Sequence, residues 1–144
     1  MDKGWYIIAN VFSNSGKTKK SLPEIKKLLE TEAIDYEMFY TRFKGDEIKM
    51  VESATKLGYT KIIGIGGDGT AQKIVAGIMI QKNISANKVL FALIPSGTGN
   101  DWAKSKGIPI KVSESIKLLK KNNQNFQDVG VAKITSDKKV IKKY

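Results

Sequence analysis

Short apolar runs alternate with amphipathic stretches along most of this chain, and the period of each stretch predicts its structure. Residues 5–10 (WYIIAN) form an apolar run closing on a small and a polar residue, as a buried strand does. Residues 21–33 (SLPEIKKLLETEA) predict a helix, with Ser21 suited to the N-cap and Pro23 and Glu24 to the first turn. Ile25, Leu28 and Leu29 repeat there at helical spacing. Residues 34–40 (IDYEMFY) alternate in part and carry aromatics, predicting a second strand. A second helix follows over 46–56 (DEIKMVESATK), with Ile48, Val51 and Ala54 facing inward and Gly58 as its stop.

The alternation continues. Residues 61–65 (KIIGI) read as a strand running into the glycine-rich segment 66–70, and 71–81 (AQKIVAGIMIQ) as a largely buried helix. Residues 89–94 (VLFALI) are the most clearly buried strand and end at 95–101 (PSGTGND). A short helix over 102–106, an amphipathic helix over 112–121 and a strand over 126–134 complete the reading, before a mostly charged tail at 135–144. Strand and helix in turn predict an α/β fold: a three-layer α/β/α domain with a mostly parallel sheet and right-handed crossovers. Ligands of such sheets bind beyond the carboxyl ends of the strands. The three polar or glycine-rich loops after the first, third and fourth apolar strands all fall at that edge. Helical patterning gives way to β patterning near residue 126, so residues 1–125 are expected to form the α/β domain and 126–144 to begin a second, β domain.

Composition narrows the chemistry. At 144 residues and 41% hydrophobic the chain is long enough for one domain with a real core. No apolar run approaches the roughly 20 residues that span a bilayer, and the first residues lack a signal peptide's apolar stretch, so the expected location is cytoplasmic. Cysteine and histidine are both absent, which excludes disulfides, Cys/His zinc sites, thiol nucleophiles and histidine-based triads. Catalysis would fall to Asp, Glu, Lys, Ser, Thr, Tyr, backbone amides or a hard cation such as Mg²⁺. The net charge is +11, and 24 of the 25 cations are lysines. That charge favours anionic partners such as nucleotide phosphates, anionic membrane surfaces or nucleic acid. A single arginine argues against specific nucleic-acid base readout, which leans on the guanidinium fork.

Two motifs are decoys. Gly64, Gly66 and Gly69 satisfy G-x-G-x-x-G, but no Asp or Glu lies between Thr70 and Asn100 to hold a ribose, and the motif follows the third strand. Residues 15–18 (SGKT) imitate the end of a P-loop, but the leading glycine would fall at Val11. Lys17 still lies on a loop at the right edge to meet a phosphate. Residues 66–70 (GGDGT) are more informative, since glycines let successive amides approach a phosphate in front of a helix N-terminus. A carboxylate among those amides suits Mg²⁺ or a bridging water; equally, Asp68 is a helix cap in a glycine-rich turn. Residues 96–101 (SGTGND) repeat the mixture after another buried strand, with Asn100 or Asp101 available to cap the helix behind.

The paired segments GGDGT (66–70) and PSGTGNDWA (95–103) resemble the nucleotide-binding domain of the diacylglycerol kinase catalytic family, which includes bacterial lipid kinases and sphingosine and ceramide kinases. The family is distantly related to NAD kinases and phosphofructokinases. Residues 107–109 (GIP) and 127–131 (QDVGV) fit the same pattern, and 10–17 (NVFSNSGK) resembles the family's N-terminal NPxSGxGK loop. The resemblance implies an ATP-dependent, Mg²⁺-assisted transfer of the γ-phosphate to a lipid hydroxyl. By position it places Asn10, Ser13 and Lys17 on the phosphate side. It puts Gly66, Gly67, Asp68, Gly69 and Thr70 around the triphosphate, with Asp68 holding the metal, and Thr98, Asn100 and Asp101 closing the nucleotide site. Phosphoryl transfer needs mainly positioning and charge neutralisation, which a site without histidine can supply.

The chain departs from the family pattern at Val11 and Asn14, where Pro and Gly are usual, and at Gln72-Lys73, where an Asn-Glu pair is usual. Family members also carry a second, mostly β domain with a catalytic base and much of the lipid site, which implies little catalysis from these residues alone. The expectation is a lipid kinase's ATP-binding domain, with ATP, a lipid substrate and an anionic membrane surface as partners and cytoplasmic or peripheral membrane location. A homodimer through an exposed strand near 126–134 is a further expectation. The alternatives are a catalytically inactive nucleotide-binding module and an NAD kinase-like enzyme.

Overall fold

The computed structural model describes residues 2–136 and 139–144. Its elements run β1 (Trp5–Ala9), α1 (Lys17–Thr31), β2 (Tyr36–Tyr40), α2 (Glu47–Lys56), β3 (Lys61–Gly66), α3 (Asp68–Ile80), β4 (Leu90–Pro95), α4 (Asp101–Ser105), α5 (Val112–Leu119), β5 (Ala132–Ser136) and β6 (Lys139–Lys143). Short 3-10 turns at Ser13–Gly16 and Ala86–Lys88 precede α1 and β4. The first four strands form one parallel sheet in the order β2-β1-β3-β4. The three-layer α/β/α architecture expected from the pattern is the one observed.

Side chains leave alternate faces of a strand, so each central strand serves two cores. Ile7, Ile63, Ile65 and Ile94 pack against Leu22, Ile25 and Leu29 of α1 and Ile116 of α5. Tyr6, Ile8 and Ile62 face Met50, Val51 and Ala54 of α2 and Ile74 and Ile78 of α3. A smaller cluster of Ala71, Leu93 and Ala103 seats α4 against the end of β4, with Phe91 and Trp102 in tilted contact at 5.5 Å between ring centroids. Each isoleucine that loses all contact with water contributes about 1.5–3 kcal/mol.

The structure corrects several expected boundaries. Helix α1 begins at Lys17, one turn before Ser21, which sits inside it and donates from Oγ to the carbonyl of Lys17 at 3.2 Å. The buried stripe Leu22, Ile25, Leu29 extends upstream to Thr18, which outweighs the N-cap preference of Ser21. Pro23 therefore lies inside the helix, on its exposed face, rather than in the first turn. Helix α3 starts at Asp68 rather than Ala71, so part of the glycine-rich segment is its first turn. The strand expected over 126–134 is displaced: no strand covers 126–131, Phe126 is 92% exposed, and β5 begins at Ala132. The tail then returns as β6, antiparallel to β5, in a separate two-stranded sheet that carries exposed Ile134, Val140 and Ile141. Strand β5 is paired along its length with β6 on one edge, and its exposed stretch begins at Ala132 rather than at 126. Among the described residues, no helix is long and apolar enough to cross a membrane.

The two sheets should differ sharply in what a truncation costs. Ile63→Ala, in the middle of β3 and fully buried, should lower unfolding free energy by about 2–5 kcal/mol. Ile134→Ala, on the exposed hairpin, should change it by less than about 0.5 kcal/mol. Urea unfolding followed by far-UV circular dichroism measures both.

Candidate functional site

Strand β1 lies between β2 and β3, and the chain leaves it toward α1 on one face while leaving β3 toward α3 on the other. A crevice therefore opens beyond the carboxyl ends of β1 and β3, the switch point where open parallel sheets bind ligands. The end of β1 is held from both sides: the amide of Thr41 donates to the carbonyl of Ala9 at 3.0 Å, and the amide of Asn10 donates to the carbonyl of Ile65 at 2.9 Å.

Asn10 is the hub of the crevice. Its Nδ2 donates to Thr70 Oγ1 at 2.9 Å and to Glu47 Oε1 at 3.1 Å, and its Oδ1 accepts the amide of Phe12 at 3.0 Å. Loop, α2 and α3 meet on this one side chain. Ser13 donates from Oγ to the Asn10 carbonyl at 2.9 Å and lies 2.5 Å from Thr18 Oγ1. Thr18 is fully buried and also reaches Ser96, at 2.7 Å to its Oγ and 3.1 Å to its carbonyl. A hydroxyl chain thus ties the loop after β1 to the loop after β4. Between Ser13 and Thr18 the backbone turns left-handed at Asn14 (φ 52°), Ser15 (φ 52°) and Gly16 (φ 80°). Asn14 occupies a conformation where glycine is the residue of least strain and asparagine among the best tolerated substitutes. Lys17, the first residue of α1, is exposed.

The loops after β3 and β4 meet glycine on glycine. A Cβ on Gly97 would lie 2.5 Å from the Cα of Gly67, and one on Gly67 would lie 2.9 Å from the Cα of Gly97. Only residues without a side chain allow this approach. Asn100 holds the second loop closed: it is buried, left-handed (φ 54°), accepts the Gly97 amide on Oδ1 at 2.9 Å and donates from Nδ2 to the Gly97 carbonyl at 3.0 Å. Thr98 and Gly99 project outward as the exposed tip of that loop.

Asp68 joins the same two loops electrostatically. Its Oδ1 accepts the Trp102 amide at 2.9 Å and its Oδ2 the Asp101 amide at 3.1 Å. Those amides, Trp102 first and then Asp101, hold the carboxyl below its ordinary range. Asp68 is thus a cap, but for α4 rather than for its own helix, whose N-cap position is Gly67. Asp101 exposes its carboxylate beside it: a Cβ on Gly99 would lie 3.4 Å from Asp68 Oδ2 and 3.7 Å from both Asp101 oxygens. Gly69 is exposed in the first turn of α3, and Gly66 closes β3, its carbonyl accepting the Ser96 amide at 2.8 Å.

Asn10, Ser13, Gly66, Gly67, Asp68, Gly69, Thr70, Asn100 and Asp101 are gathered at this edge, while Lys17 and Thr98 stand at its rim. Three participants escape motif reading. Thr18 and Glu47 sit on the buried stripes of α1 and α2, where a polar residue in register with Leu22, Ile25 and Leu29, or with Met50, Val51 and Ala54, is the available signal. Thr41, buried just past β2, accepts the Val11 amide at 3.3 Å and has no such signal. Glu47 is 1% exposed, and burial raises its carboxyl above the usual range. The sole arginine is spent locally: Arg42 grips the buried Asp46 through Nε and Nη2, both at 3.0 Å, and through its amide at 2.9 Å. That grip keeps Asp46 ionised below the ordinary carboxylate range.

The model of the diacylglycerol kinase catalytic domain matches residues 4–132. Among curated proteins, a diacylglycerol kinase of Staphylococcus haemolyticus is 30% identical over 124 residues, covering 86% of this chain and 36% of the relative. A protein of Escherichia coli named probable lipid kinase YegS is 37% identical over 112 residues, covering 76% of this chain and 37% of the relative. A solved diacylglycerol kinase structure from Bacillus anthracis superposes with a TM-score of 0.69 at 27% identity, covering 84% of this chain and 40% of that one. The chain spans little more than a third of the length of the curated relatives it matches.

The glycine contact makes a stability contrast. Gly97→Ala should destabilise by about 1–3 kcal/mol, because the added carbon meets backbone that cannot rotate aside. Gly69→Ala, with open space around it in a helical turn, should be neutral or stabilising by up to about 1 kcal/mol. Urea titration of the pair separates crowding between the loops from a general cost of removing glycine.

Proposed function

The chain belongs to the diacylglycerol kinase catalytic domain family, and from that membership we propose that it is the ATP-binding domain of a lipid kinase, which in the full-length protein moves the ATP γ-phosphate to a lipid hydroxyl. The observation that carries this reading is the Gly67–Gly97 contact, which joins the two glycine loops into one backbone-walled surface at the switch point. The N-terminus of α3 there favours a phosphate chain. Asn10 and Thr70 would line the phosphates, Ser13 and Thr18 would brace the loop after β1, and Lys17 would supply a mobile cation at the rim. Asn100 holds the second loop in shape.

The residues fit a magnesium ion of the kind kinases use. Asp68 and the neighbouring Asp101 offer hard oxygen donors, and among the described residues no group of three or more acidic side chains forms a cage. Mg²⁺ is commonly bound through one or two carboxylates with water and substrate phosphates completing the shell. When bound, it supplies neutralisation of phosphate charge. The protein's own contribution is to fix Asp68: two amides already orient its carboxylate, so little ordering remains for a ligand to impose.

The membrane reading rests on the same edge. Phe12 and Phe43 are exposed on the adjoining loops after β1 and β2, at 54% and 45%. Arg42 and Lys49 lie 5.8 and 5.6 Å from the Phe43 ring, and Lys26 lies 5.4 Å from exposed Tyr40. Aromatics flanked by cations suit an anionic lipid interface. A second reading, nucleotide binding without turnover, is favoured by Lys73, which puts a cation on α3 where the family usually has a carboxylate.

Calorimetric titration with Mg-ATP tests the nucleotide site. Saturable binding is expected, weakened roughly tenfold or more in Asp68→Ala; absence of binding at millimolar ATP removes the reading. Sedimentation with phosphatidylserine vesicles tests the membrane half. Phe12→Ser with Phe43→Ser should reduce the bound fraction, and added salt should reduce it further. Binding indifferent to both changes would dismiss this face as the contact.

A further inference from the structure

Glu47 is a buried titratable group that the reading above leaves unused. It opens α2, is 1% exposed, and places one oxygen, Oε1, on Asn10 Nδ2. The other, Oε2, is buried without a hydrogen-bond partner, the one such side-chain atom among the described residues. An orphaned carboxylate oxygen in a polar corner is costly and points to a partner that arrives under other conditions. The corner is also the candidate phosphate site, because Asn10 links Glu47 to Thr70 in the first turn of α3.

The charges around Glu47 narrow the partner. On its own element, Asp46 disfavours its ionisation, but Asp46 is held by the Arg42 fork. From β1, burial first and then the charges of Asp46 and Glu37 hold the Tyr6 phenol above its usual range. The amide of Glu47 itself, then the charge of Lys73 from α3, then the amide of Gly45 favour the ionised form. Burial nevertheless dominates and holds the carboxyl toward its protonated form. Lys73 lies one turn beyond Thr70 at i,i+3, on the same face of α3, and is half-buried. Its four-carbon stem gives the ammonium reach in more than one direction. No ion pair joins it to Glu47 here among the described residues.

We propose that Glu47 is an internal competitor for the anionic ligand of this site: its free Oε2 and the ligand's phosphate oxygens compete for Lys73, so that when a phosphate chain takes Lys73, Glu47 takes up a proton from solvent. The proposal deepens the nucleotide reading and rests on it only for the identity of the phosphate carrier. Ligand binding is then tighter at low pH and weakens as pH rises through the ionisation of Glu47. The sign is fixed. Loss of Lys73 to the ligand removes a charge that favours ionised Glu47, so the complex holds a proton at Glu47 more tightly than the free protein does, and binding strengthens as pH falls.

Isothermal titration with sodium tripolyphosphate and, separately, with Mg-ATP tests this on the wild-type chain, Glu47→Gln, Lys73→Met and the double variant. Two buffers of different ionisation enthalpy count the protons taken up. Wild type should take up more protons per anion bound than Glu47→Gln does. Glu47→Gln should bind roughly tenfold more tightly at about pH 8, and this gain should shrink severalfold in the Lys73→Met background. Equal proton counts, or additive effects of the two substitutions, overturn the proposal, as does failure of both anions to bind. Linked binding of tripolyphosphate without binding of Mg-ATP supports the proposal and removes the nucleotide reading; unlinked binding of Mg-ATP does the reverse. Glu47→Gln keeps the Oε1 acceptor for Asn10. A ligand-free pH series provides a second readout: wild type should lose stability relative to Glu47→Gln as pH rises above the ordinary carboxylate range. Parallel stability curves count against the proposal.

Discussion

The candidate site depends on how β1 ends. Its last residue, Ala9, gives its carbonyl to the amide of Thr41, and the next residue, Asn10, gives its amide to the carbonyl of Ile65. Parallel pairing on both sides leaves the backbone there no freedom to bend, and only the side chain of Asn10 is left to fill the crevice. Because α1 and α3 leave on opposite faces, that crevice stays open at the top of the sheet. The hydroxyl chain Ser13–Thr18–Ser96 and the amide bridge from Asn10 to Thr70 and Glu47 are both anchored on this fixed point. Rigid strands beneath and polar loops above divide the work: burial stabilises, and the loops present chemistry.

The chemistry presented is almost entirely neutral or backbone in character. Neither histidine nor cysteine is available, and the one arginine is committed to Asp46. What faces the edge is a set of glycines, hydroxyls and amides, two carboxylates and flexible lysines. That composition is ill suited to nucleophilic or acid–base work on its own. It is well suited to holding a polyanion, for which oriented amide dipoles stabilise charge without the desolvation cost of burying a second full charge. Asp68 fits the same logic, since its charge is held by two amides at the start of α4 and not by a cation.

Much of this is legible in the amino-acid sequence. The period of the apolar residues yields the α/β order, and the segments 66–70 and 95–101 mark the two loops that do approach one another. Errors fell where local preference and burial disagree. Ser21 has the chemistry of an N-cap, but the helix begins at Lys17 because Thr18 continues the buried stripe. Glu47 has the chemistry of a surface residue, yet it occupies a core position next to Met50 and Val51. The segment 126–134 carries β-forming residues, but a strand exists only where a partner lies alongside, and β6 meets the chain at Ala132 and beyond. Pairwise geometry such as the Asn100 clamp on Gly97 has no sequence period and so leaves no signal of that kind.

The two glycine loops move as one body or not at all. Gly67 and Gly97 are in backbone contact, Asn100 locks the second loop onto Gly97, and Asp68 ties the first turn of α3 to the start of α4. Separating them would expose the Asp68 carboxylate and two helix-terminal amides together, with no compensating partner among the neighbours. The loop after β1 is tied less directly, through hydroxyls whose hydrogens rotate and through the single side chain of Asn10. It also contains the left-handed run at Asn14 and Ser15, a conformation that asparagine tolerates but that is costly for serine. If one wall of the crevice yields to admit a ligand, the physical asymmetry points to the β1 loop. The β3 and β4 loops would then form the fixed wall against which the proposed phosphate chain is positioned.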